Sequence, residues 1–106
     1  MIFHFHAKHV TFFDEDKDYF EKRLNTILKY LGNEAGDEDS VEVTTQIEKT
    51  KHHSGEERFH AKAHMTCPHH GDFHAEVYGE NIKQLADLLE DSLAKQARKF
   101  HEKHKR

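Results

Sequence analysis

The chain has 106 residues, 35% of them hydrophobic and 34% charged, with a formal net charge of −4 at pH 7. Its length suits one domain with one modest core, and its net charge argues against generic, non-specific nucleic-acid binding. No apolar run approaches the roughly 20 residues that span a bilayer, and the N-terminus has no secretory-type apolar stretch, so the expectation is a cytoplasmic protein with no membrane partner.

In chain order, Ile2 to Ala7 alternates, with Phe3, Phe5 and Ala7 on one side and His4 and His6 on the other, as a half-buried strand requires. After Val10 to Phe13, Asp14 is the expected N-cap of a helix whose first turn carries Glu15 and Asp16. Phe20, Leu24, Ile27, Leu28 and Leu31 form its apolar stripe, ended by Gly32. Asn33 to Ser40 reads as an exposed acidic loop, and Glu34, Asp37, Glu38, Asp39 and Glu42 make a run of acids without an intervening base. Val43, Thr45 and Ile47 then alternate with Glu42, Thr44, Gln46 and Glu48 in a second strand.

Lys49 to Glu57, centred on Ser54 and Gly55, is expected to be a turn. Phe59, Ala61, Ala63 and Met65 alternate with His60, Lys62, His64 and Thr66 up to Pro68, and Gly71 with Asp72 suggests a second turn. Phe73, Ala75 and Val77 alternate with His74, Glu76 and Tyr78, and Gly79 leads into the last helix. This longest periodic segment, placed between Tyr78 and Arg106, carries Ile82, Leu85, Ala86, Leu89, Leu93, Ala97 and Phe100 on one stripe.

The order predicts an α+β fold, a two-layer β-α-β-β-β-α sandwich with a four-stranded sheet and both helices on one face. The helical crossover favours a parallel pairing of the first two strands, and two hairpins follow. The other sheet face would be open, carrying His4, His6, Glu42, Glu48, His60, Lys62, His64 and His74.

Charge is segregated along the last helix: Glu80, Asp87, Glu90 and Asp91 precede Lys95, Arg98, Lys99, Lys103, Lys105 and Arg106. The macrodipole accounts for such a pattern only in the terminal turns, and the basic block is longer than one turn. It reads as an electrostatic footprint for phosphates, extended by Lys22 and Arg23 on the first helix and by Lys49, Lys51 and Arg58 in the turn. Tyr19 and Tyr30 flank the first apolar stripe, where half-buried packing is their default role and base stacking the alternative.

The twelve histidines invite a metal reading, beside a pH-responsive surface, on which clustered imidazoles would repel one another once charged, and simple solvent exposure as the default. No HExxH motif or paired CxxC is present, so no metal or other cofactor is assigned, and His60, His64 and His74 on the open face form the alternative ligand set. The single cysteine, Cys67, cannot form an internal disulfide and has no apparent base to activate it. No phosphate-cradling glycine motif or nucleophile elbow is present, and neither an enzyme nor a small-molecule substrate is expected.

Read together, His74-Ala75, Gly79, Asn81-Ile82, Asp87, Asp91, Leu93, Lys95-Gln96 and Lys99 resemble, without a gap, the signature of the ribosome hibernation promoting factors, also called ribosome-associated translation inhibitors or sigma-54 modulation proteins. Val10, Lys22-Arg23-Leu24, Lys29-Tyr30-Leu31 and Glu48-Lys49 add matches along the chain, while Ser92 stands where the family usually has lysine and Lys83 where tyrosine is common. The resemblance implies one ribosome-binding domain over residues 1–106, with a fold similar to a double-stranded-RNA-binding domain. It implies a partner in the small ribosomal subunit, through 16S rRNA, and in the 70S ribosome. Its action would be inhibition of translation by occluding the mRNA and tRNA sites in stress or stationary phase. Lys95, Arg98, Lys99 and Lys103 would contact rRNA phosphates, extended by Lys22, Arg23 and Lys49. With the sequence ending at Arg106, the expectation is a chain without the additional C-terminal dimerisation domain of the long members, one that would not pair two ribosomes alone. The rival reading is a non-ribosomal module that binds metal or protein through the histidine-rich face.

Overall fold

The computed structural model describes residues 1–31, 41–51, 57–67 and 71–104. The elements are β1 (Ile2–Lys8), α1 (Asp14–Asn25), α2 (Leu28–Leu31), β2 (Glu42–Lys51), β3 (Glu57–Cys67), β4 (Gly71–Gly79) and α3 (Ile82–His104). The sheet runs β1-β2-β3-β4, with β1 parallel to β2 and the other two pairings antiparallel, as the connections require. α3 packs on β3 and β4 and alongside α1 and α2, giving the α+β sandwich expected from the residue periodicities.

Alternation decides which side of the sheet each residue takes. Val43, Thr45 and Ile47 of β2 and Ala61, Ala63, Met65 and Cys67 of β3 are buried under the helices. Leu85, Ala86, Leu89, Leu93 and Ala97 of α3 meet them with no exposed surface, and Ala94 joins the stripe. Small alanines at the centre of β3 let α3 lie close to the sheet, while aromatic bulk fills the β1 side. There Phe5, Phe12 and Phe20 have ring centroids 5.2–5.9 Å apart, with Phe20 edge-on to both neighbours.

Among the described residues Thr45 is the one buried polar side chain of the core, and its hydroxyl has no hydrogen-bond partner there. An orphan hydroxyl forfeits its hydration without return. Thr45→Val is therefore expected to stabilise the fold by about 1 kcal/mol, seen as a higher urea midpoint with an unchanged slope.

Several boundaries differ from the residue patterns. Lys49, Thr50 and Lys51, expected in a turn, continue β2, paired with Phe59, Arg58 and Glu57 of β3. The ladder satisfies their backbone groups, which outweighs the turn-like composition. The Ser54–Gly55 centre of that turn lies outside the described residues, as do the acidic loop, Gly32 and Pro68. Gly71 and Asp72 likewise belong to β4, paired with Cys67 and Thr66, and Gly71 takes φ 90, a conformation costly for a side chain.

The first helix is not continuous to Leu31. After Asn25 the chain tightens, with Thr26, Ile27, Lys29 and Tyr30 donating to the carbonyls three residues before them and Thr26 Oγ1 donating to Arg23 O at 2.7 Å. Ile27 stays buried through the break, which is why the apolar spacing conceals it. Asp14 is the first helical residue and not the cap: Phe13 precedes the helix, and its N–H donates to Asp16 Oδ2 at 3.1 Å.

The last helix begins at Ile82, since Tyr78 and Gly79 complete β4. Asn81 Oδ1 accepts from Gln84 N at 2.8 Å, and Gln84 Oε1 accepts from Glu80 N, forming a cap. A Cβ at Gly79 would stand 2.9 Å from Gln84 Oε1, so glycine leaves room for this cap.

β4 is an edge strand, and α3 closes part of its edge. Gln96 Oε1 accepts from His74 N at 3.2 Å, while Gln96 Nε2 donates to His74 O at 2.6 Å. The amide thus takes the place of a neighbouring strand at this residue.

Candidate nucleic-acid interface

Lys95, Arg98 and Lys99 are exposed on α3, opposite its buried stripe. Lys95 and Lys99 are one helical turn apart, about 6 Å along the axis. Arg98 lies over the ring of Tyr30, 5.2 Å from its centroid, and Lys29 approaches the same ring at 5.0 Å. A guanidinium held over a ring in this way retains N–H donors that can meet an anion. The half-buried ring thereby gathers cations from α2 and α3 on a rigid surface. Lys29, part only of a motif in the sequence, joins this cluster from α2.

The other nominated cations are distributed differently. Arg23 Nε stands 3.0 Å from Asp87 Oδ1 and 2.8 Å from Glu90 Oε2, so two carboxylates compensate its charge. Asp87 also accepts from Tyr19 OH at 2.7 Å, a bond that raises the phenol's pKa above its usual value. Arg23 and Tyr19 therefore tie α1 to α3, and Tyr19 has a packing role. Lys22 is exposed beside Phe3, Asp18, Glu21 and Asn25, on the β1 side of α1. Lys49 is half-buried in a depression shared with His9, Phe59 and Ile82, whereas Arg58 is exposed with the opposite sheet parity. The side chains of Lys51 and Lys103 lie outside the described residues. The structure thus brings Lys95, Arg98 and Lys99 together and separates Lys22, Lys49 and Arg58 from them.

The open sheet face is a grid of cross-strand rows. One row reads His4-Thr44-His64-His74, the next His6-Gln46-Lys62-Glu76, and a third Lys8-Glu48-His60-Tyr78. His60 Nε2 lies 2.9 Å from Glu76 Oε1, and its ring stacks on Tyr78 with centroids 4.6 Å apart. The hydrogen bond to His60 holds the Glu76 carboxyl below its usual pKa. His64 and His74 stack on each other with centroids 4.2 Å apart, and Asp72 Oδ2 is 3.0 Å from His64 Nε2. His60 is therefore engaged apart from the other two members of the candidate ligand set. Asp72 replaces it, a residue that the turn reading passed over.

Cys67 is 2% exposed, and burial pushes its thiol from the ordinary 9.0 up to about 11. The nucleophilic thiolate is correspondingly scarce at pH 8. Alkylation by iodoacetamide at that pH is expected to be at least about 100-fold slower in the native chain than in the urea-unfolded chain; comparable rates would contradict a buried, inert thiol.

A search of curated proteins finds no match to the chain. No described helix is long and apolar enough to cross a membrane. A family model described as sigma 54 modulation protein / S30EA ribosomal protein matches residues 3–105, which covers the described elements from the second residue of β1 onward. With its α+β sandwich and mixed four-stranded sheet, the chain belongs to this family of ribosome-associated modulation proteins.

Proposed function

We propose that this protein is a cytoplasmic ribosome hibernation factor, one that binds the decoding region of the small subunit through 16S rRNA and idles the 70S ribosome by occluding its mRNA and tRNA sites. The action is steric and needs no chemical step. The observation that carries the reading is the cationic cluster of Lys95, Arg98 and Lys99 with Lys29 and Tyr30, built on a packed helical layer. Among the described residues this cluster concentrates positive charge on a net-negative chain, which is repelled from polyanions in most orientations and attracted through that surface, favouring a single docking pose.

Occlusion has a direct test. The protein should bind vacant 30S subunits much more tightly than subunits preloaded with mRNA and initiator tRNA, and should inhibit translation of a reporter in a purified system. Equal binding to vacant and loaded subunits would overturn the occlusion mechanism while leaving ribosome association intact.

A further inference from the structure

The geometry points to a divalent transition-metal site on the open sheet face, with His64, Asp72 and His74 as ligands and Zn²⁺, Ni²⁺ or Cu²⁺ as the class of ion. It is independent of the ribosome-binding surface and of the function proposed for it.

The site follows from the strand register. His64 is paired directly with His74, and Gln96 on α3 holds both backbone groups of His74. Those groups therefore point away from β3, which makes His64–His74 a pair without direct ladder bonds, the kind whose side chains approach most closely. Asp72 lies two residues before His74 and, on a twisted antiparallel pair, falls diagonally beside His64. One candidate ligand atom from each of the three residues lies within 4.8 Å of the others.

A tetrahedral ion with bonds of about 2.0–2.2 Å needs its ligand atoms roughly 3.3–3.5 Å apart. Asp72 and His74 are exposed and His64 is half-buried, so small side-chain rotations on a backbone held by the sheet and by Gln96 provide that closure. His64 Nε2 adds a second indication. It is shielded from solvent, and although Asp72 Oδ2 stands 3.0 Å away, it has no hydrogen-bond partner among the described residues. Coordination by this nitrogen, or through its ring with a change of tautomer, would satisfy a group now held only by proximity to a carboxylate.

The donor set selects the ion class. Two imidazoles and one carboxylate suit zinc, nickel and copper better than calcium or magnesium, which favour all-oxygen sites. Two neutral imidazoles and one carboxylate leave a net charge of +1 on the bound centre, and three protein ligands leave a coordination position for water or for a partner's donor. Lys62, which lines the same shallow depression as His64 and His74, limits affinity through its charge. The neighbouring His60–Glu76–Tyr78 group does not compete on equal terms, because Glu76 Oε1 is already engaged by both His60 and Tyr78.

The test is calorimetric titration of the full-length protein with Zn²⁺ at pH 7.5, beside His64→Asn, Asp72→Asn, His74→Asn, His60→Asn and His4→Asn. One ion should bind per chain with micromolar or tighter affinity. Losing even an outer partner of a metal ligand costs about 10- to 100-fold in affinity, so His64→Asn and His74→Asn should each cost about 100-fold or more. Asp72→Asn should cost at least about tenfold, and His60→Asn and His4→Asn should leave affinity unchanged. Unaltered binding in His64→Asn and His74→Asn, or uptake that never saturates at one ion, would overturn the site. If either key variant fails to fold, imidazole ¹⁵N spectra of the unmodified protein decide. The first equivalent of Zn²⁺ must shift the His64 and His74 rings, and a first equivalent that shifts other rings refutes the assignment.

Discussion

Replacing Lys95, Arg98 and Lys99 together with glutamate is expected to abolish ribosome binding while the domain stays folded. All three side chains are exposed, and the residues that hold α3 against the sheet, Leu85, Leu89, Leu93 and Ala97, are untouched. A charge-assisted contact contributes about 1.5–3 kcal/mol, so three lost contacts remove at least about 4 kcal/mol, roughly a thousandfold in affinity, before repulsion is counted. The control is Arg58→Glu with Lys62→Glu, a reversal of two exposed cations on the open sheet face. That variant should retain most of its binding. Equal loss in both variants would mean that overall charge and not the α3 surface governs association. Filter binding to 30S subunits, with far-UV circular dichroism to check the fold, separates the outcomes.

The second large effect concerns stability. Leu89 is wholly buried midway along α3. Truncation to alanine removes the transfer free energy of its side chain and leaves a cavity, at a cost of about 2–5 kcal/mol. A domain of this size has only about 5–15 kcal/mol in total, so Leu89→Ala is expected to lose a large share of its stability. Leu88, one residue away but only half-buried, should cost far less on the same change. Urea unfolding of the two variants would show the contrast as a large and a small drop in midpoint. Equal drops would mean that α3 is not seated as described.

The core was legible because burial leaves its mark at fixed periods. Alternation placed Val43, Thr45, Ile47, Ala61, Ala63 and Met65 on the inner face, and the 3.6-residue period found five fully buried residues of α3. Boundaries were less legible where backbone pairing outweighs composition, as at Lys49–Lys51 and Gly71–Asp72. The break after Asn25 was hidden because Ile27 remains in phase with the core through it.

The candidate sites depended on register and on partners, which composition does not encode. Arg23 looks like any other cation in the sequence, yet Asp87 and Glu90 approach it from α3, 64 and 67 residues later. Lys22 and Lys49 have the right charge, but they lie by the β1 side of α1 and beside the start of α3. The histidine face was foreseen from alternation, whereas the choice of His64, Asp72 and His74 over His60 required the pairing of β3 with β4. Gln96 stood in the sequence only as part of a motif, and its contact with both backbone groups of His74 accounts for glutamine there.

Ribosome binding by charge on α3 is tested most directly by co-sedimentation of the purified protein with 30S subunits across a salt series. Each phosphate neutralised contributes a slope of about −0.7 to −0.9 in log affinity against log salt, so three contacts predict a fall of about 20- to 40-fold between 50 and 200 mM. The Lys95, Arg98 and Lys99 charge-reversal variant should show no binding at either concentration. Binding by the unmodified protein that is flat in salt, or that survives the triple reversal, would contradict the account.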